Sequence, residues 1–195
     1  AKKEYTFLEG LKDPLNYILP FTYSGALLLY LTILTLFPLY QEAAYSAKNL
    51  AMIVGFFAIV GAIIGVHLLK KGHSRIQMLR LSGVGVIFFG WLMIYTSQAT
   101  IAVIAAIFLG ISLSIANSVL LSLPQELPGI TPGKITFVMG FYWSFAYILE
   151  TINYYFIGRV MDAYGFKMGM YMAVALSVTV ILGSFFLPET KQNKT

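Results

Sequence analysis

The stretch NLAMIVGFFAIVGAIIGVHLL, Asn49 to Leu69, contains His67 as its only titratable side chain. About 20 such residues in helical conformation match the hydrocarbon thickness of a bilayer. Composition supports a membrane reading of the whole chain. Its 195 residues are 58% hydrophobic and 11% charged, where a soluble domain carries roughly half and a quarter.

Working outward, further uncharged runs cover Pro14 to Gln41, Leu81 to Leu123, Ile135 to Leu149 and Met168 to Pro188. The run from Leu81 is too long for one span. Its polar interruption YTSQAT, Tyr95 to Thr100, divides it in two. The spacing predicts six helices, at 14–40, 49–69, 79–96, 100–123, 133–159 and 168–187. The segments 1–13 and 189–195 flank this bundle as tails. Barrel strands would show ten-residue segments of alternating polarity, and this pattern is absent. The expected fold is an all-α polytopic membrane bundle.

Six spans put both ends of the chain on one face. Lys2, Lys3, Lys12, Lys70, Lys71, Arg75, Arg80, Lys134, Lys191 and Lys194 then lie on that face, and Lys48, Arg159 and Lys167 on the other. By the positive-inside rule the richer face is cytoplasmic, which predicts a cell-membrane protein with both termini inside. The net charge of +5 is accounted for by anchoring to anionic lipid headgroups. The basic residues bracket the spans instead of interleaving with aromatics along a groove, which excludes a nucleic-acid surface. No signal peptide is visible in AKKEYTFLEGLKD, and the chain does not start with Met. It therefore reads as a fragment or as one of two chains that pair.

Two segments repeat a spacing: GVHLLKKG, Gly65 to Gly72, and GRVMDAYG, Gly158 to Gly165, 93 positions later. With an odd number of spans between them they fall on opposite faces, as an inverted repeat of three helices plus three requires. The loop Gly65-Val66-His67-Leu68-Leu69-Lys70-Lys71-Gly72-His73-Ser74-Arg75 resembles the second, degenerate copy of a basic loop motif of the major facilitator superfamily. Gly65, Lys70 and Gly72 fit the motif. Leu69 replaces its acidic residue and His73 one of its basic residues. LPQELPGITPGKITFVMGF, GRVMDAYG and FLPETK are similar to corresponding segments of that family, so the resemblance extends from Asp13 to Lys191. It implies the C-terminal six-helix half of a secondary transporter, with Gly65, Lys70 and Gly72 in a gating loop. Six further helices would precede it, and a small solute would be held between the halves and exposed to each side in turn. No cofactor is implied.

Candidate site residues follow from the cost of polarity at mid-membrane. Glu150, in FYWSFAYILETINYY, is the one carboxylate placed near the middle of a span. At helical spacing it shares a face with Trp143, Tyr147, Asn153 and Tyr154. Burial disfavours its charged form, the property a proton-coupling group needs. Proton or cation binding and a structural pairing with the other half both remain readings of it. Asn117 and Ser114 on the fourth helix offer either solute contact or interhelical hydrogen bonding. On the first helix Asn16, Tyr23 and Tyr30 recur at seven-residue spacing around Pro20, a kink position, and Tyr23 has the best depth for a cavity. Gly61 to Gly65, GAIIG, reads as a small-residue packing face. His67 and His73 read as interfacial, and Arg159 and Asp162 are spaced to pair.

Intramembrane catalysis is not expected. Asp13 and Asp162, the only aspartates, lie at helix ends; there is no cysteine, no metal-ligand spacing and no phosphate-cradling loop. A six-helix channel or scaffold subunit is the alternative to a transporter.

Overall fold

The computed structural model describes residues 6–127 and 129–190, so Lys2, Lys3, Lys191 and Lys194 lie outside the described residues. A short helix α1, Phe7–Lys12, precedes the first span, α2, Leu15–Thr35, which a 3₁₀ turn at Phe37–Leu39 extends. Then follow α3, Ala47–Lys70; α4, Arg75–Tyr95; α5, Ala99–Glu126; and α6, Pro132–Tyr164. The sixth span consists of α7, Phe166–Leu176, and α8, Thr179–Gly183. These make six helices long and apolar enough to cross a membrane, and no strand occurs among the described residues.

Their ends follow local rules. Ser46, Ser74 and Thr131 each accept a hydrogen bond from the backbone N–H three residues on, capping α3, α4 and α6. Such caps explain why α4 begins at Arg75, ahead of the start at 79 that the apolar pattern predicts. Gly72 ends α3 with φ +76°, and the N–H groups of Gly72 and His73 return to the carbonyls of Leu69 and Leu68. That is a Schellman closure, which needs a residue without Cβ strain. Gly165 ends α6 with φ +89°.

α2 runs unbroken through Pro20, and its centre is buried from Thr22 to Leu29. It packs on α6 and on the α7–α8 span, while α5 packs on α3 and α4. Small residues set the second group of contacts. A Cβ on Gly61 would stand 2.5 Å from the backbone oxygen of Ile111, and one on Gly110 would collide with the carbonyl of Val54. Close backbone approach of this kind replaces the hydrophobic driving force that helices lack in lipid.

The outer face has the opposite character. Met52, Phe56, Ile59 and Ile63 recur at helical spacing along α3 and are each more than 60% exposed. A soluble monomer rarely leaves so continuous an apolar stripe uncovered. Together with the six apolar helices, it makes this a multi-pass membrane protein.

Candidate functional site

Midway along α2, α5 and α6 the three helices leave a cavity of about 280 Å³. Tyr23, Ala26, Leu27, Tyr30 and Leu31 line it from α2; Leu113, Ser114 and Asn117 from α5; Trp143 and Tyr147 from α6. Each set recurs at three- or four-residue intervals, so each helix turns one face to the opening.

Aromatic packing fixes the walls. Tyr23 stacks on the fully buried Tyr142 with ring centres 5.2 Å apart, and meets Trp143 edge to face at 5.6 Å. Trp143 in turn stacks on Tyr147 at 5.8 Å. Such pairs contribute about 0.5–1.5 kcal/mol beyond burial, which favours one arrangement of the rings. The polar groups are less committed. The hydroxyls of Tyr23, Tyr30, Tyr147 and Ser114 make no hydrogen bond with the described residues, and the buried Oδ1 of Asn117 has no donor.

Glu150 lies elsewhere on α6. The buried positions Val138, Tyr142, Ala146, Glu150 and Ile157 form the stripe along which α6 packs into the bundle, and Glu150 is absent from the cavity lining. α2 and α6 run parallel: Tyr23 meets Tyr142, and the hydroxyls of Thr35 and Tyr154 lie 2.8 Å apart at the same offset of 119 residues. That register puts Glu150 level with Leu31, at the end of the cavity, without its side chain lining the wall. It is 9% exposed and has no hydrogen bond or ion pair among the described residues. An unpaired buried carboxylate is costly in its charged form and readily held in its neutral one.

The residues singled out from the sequence therefore divide. Tyr23, Asn117, Trp143 and Tyr147 converge on one cavity, which Tyr30 and Ser114 join. Tyr154 instead ties α6 to α2 through Thr35, and Asn153 is half-buried outside the cavity. Asn16 donates through Nδ2 to the Gly10 carbonyl at 2.7 Å, fastening α1 to α2. Arg159 and Asp162 form no ion pair among the described residues.

At the end of the bundle that carries Lys70 and Lys71, a polar cluster escaped sequence reasoning. Arg75, 4% exposed, directs Nε and Nη2 at the two Glu126 oxygens, 2.9 and 2.7 Å away. Its Nη1 also donates to the carbonyls of His73, at 2.8 Å, and Leu69. Glu189 accepts from the α4 N-terminal amides of Arg75 and Ile76 and from the Ser74 hydroxyl, while Thr190 bonds Glu126 at 2.7 Å. A carboxylate at a helix N-terminus also meets the positive end of its dipole. Among the loop residues picked out by resemblance, Gly65 packs against Ser118, Gly72 makes the turn and Lys70 is exposed. Arg75, Glu126 and Glu189 each stood in a quoted segment, but nothing in sequence spacing links positions 75, 126 and 189.

A scan against protein-family models finds no match, and a search of curated proteins finds none either.

Proposed function

We propose that this chain is a six-helix half of a secondary active transporter of the major facilitator type, carrying a small solute by alternating access. The observation that carries the reading is the mid-span cavity, into which three helices together present uncommitted polar groups. Polar groups at membrane depth normally serve a pathway or pair with one another.

Helix packing supports a 3+3 inverted arrangement. α2 packs on α6 and the α7–α8 span, as α5 packs on α3 and α4. Exchanging first for fourth, second for fifth and third for sixth spans interconverts these sets. Gly72 and Gly165, equivalent in the sequence repeat, both end their helices at positive φ. In this reading Glu150 takes up and releases the coupling proton, the second six-helix half closes the cavity, and the solute passes between them. The end bearing Lys70, Lys71, Arg75, Arg80 and Lys134 faces the cytoplasm of a cell membrane, following the positive-inside rule.

The test is reconstitution into vesicles loaded with candidate solutes. Saturable counterflow supports a carrier. Conductance that grows linearly with voltage, without exchange, identifies a channel and overturns the proposal.

A further inference from the structure

Resting on the transporter reading, we infer that the cavity selects a small uncharged solute that combines a ring-sized apolar face with hydrogen-bonding groups. None of the ten lining residues is Asp, Glu, Lys, Arg or His. Glu150, the nearest carboxylate by helix register, belongs to the packing stripe and not to the wall. An ion entering this space would lose its hydration shell and meet no counter-charge on this half's wall, a large penalty in an apolar surrounding.

What the wall does offer matches a neutral molecule. Trp143 and Tyr23, packed edge to face at 89°, both contribute aromatic surface to the lining, against which an apolar part of a solute can lie. Around it, the hydroxyls of Tyr30, Tyr147 and Ser114 can each donate or accept. The Asn117 amide does both, and its carbonyl oxygen is unpartnered. A site built from such groups rejects molecules that leave them unpaired. The cavity is also small, about 280 Å³, near the lower end of ligand pockets. A single ring with one or two polar substituents suits it.

Chain fluorescence reports on the site directly, because the two tryptophans are Trp91 and Trp143. In a Trp91→Phe background, Trp143 emission is titrated with benzamide, benzyl alcohol, benzylammonium and benzoate on the purified protein in nanodiscs. The neutral pair is expected to bind saturably and at least about tenfold more tightly than either ion. Asn117→Ala is expected to weaken benzamide at least about fivefold while sparing the unliganded spectrum. Preference for benzylammonium or benzoate overturns the neutral-solute assignment and leaves the transporter reading intact. If no probe moves Trp143, the cavity is not the solute site. Counterflow in vesicles then decides whether transport itself survives.

Discussion

The Arg75 guanidinium closes a two-point fork on the Glu126 carboxylate, joining the start of α4 to the end of α5. Both side chains are withdrawn from solvent, at 5% and 15% exposure. Parallel N–H to O contacts of this kind fix orientation as well as attraction. Removing one partner strands the other charge, which in buried pairs costs about 3–5 kcal/mol. Glu126→Gln is expected to fall near the lower figure, because Thr190 and two carbonyls still hold the site. Thermal unfolding in detergent measures it, and exchanging the charges, Arg75→Glu with Glu126→Arg, should recover part of the loss. An unchanged midpoint for Glu126→Gln would show the fork to be energetically neutral.

Glu150 is predicted to matter for coupling and little for folding. Gln keeps the shape and removes the ionisable group that burial penalises. Glu150→Gln vesicles should therefore retain folded protein and counterflow, but lose acceleration of uptake by an imposed proton gradient. Undiminished acceleration would remove Glu150 from coupling.

Two glycines give opposite expectations. A side chain on Gly110 meets the backbone of α3, whereas one on Gly140 meets nothing within 4 Å. Gly110→Val should force α5 and α3 apart and destabilise by about 1–3 kcal/mol or more, the usual range for overpacking. Gly140→Ala should be neutral or stabilising by up to about 1 kcal/mol through helix propensity. Parallel thermal melts compare them, and equal effects would refute the close approach of α3 and α5.

Tyr40 lies just beyond the first span and stacks on Phe166 with ring centres 5.3 Å apart. Burial pushes its hydroxyl above the usual tyrosine range, with Lys167 opposing and Glu42 reinforcing the shift. A raised value in the folded state means that the fold prefers the neutral phenol. Its contribution is present below the unfolded value, about 10, and is lost as pH rises through the folded one. Melting points recorded from neutral to strongly alkaline pH should fall less in Tyr40→Phe than in the parent. Identical alkaline slopes would place Tyr40 in free contact with water.

Sequence and structure meet differently at the site than at the spans. Tyr23, Asn117, Trp143 and Tyr147 were legible because polar and aromatic groups at mid-span are conspicuous against an apolar background. Periodicity alone put Glu150 on their face. In the bundle, its position at the border of two faces is resolved by the parallel fit of α2 on α6, which turns it inward with Tyr142 and Ala146. The fork at Arg75 was illegible for a different reason: an arginine in a basic loop has the same local pattern whether it meets lipid headgroups or a carboxylate 51 residues away.

By itself, the sequence determined that the chain forms six apolar helices. In hydrocarbon every backbone polar group must be satisfied within its own segment, so length and polarity suffice to specify a spanning helix. Tertiary structure alone decided which faces meet. Between helices in lipid, association depends on close packing and a few hydrogen bonds, and these are properties of pairs such as Gly61 with Ile111 or Thr35 with Tyr154. A cavity arises where such pairs leave a gap, and no single segment encodes that gap.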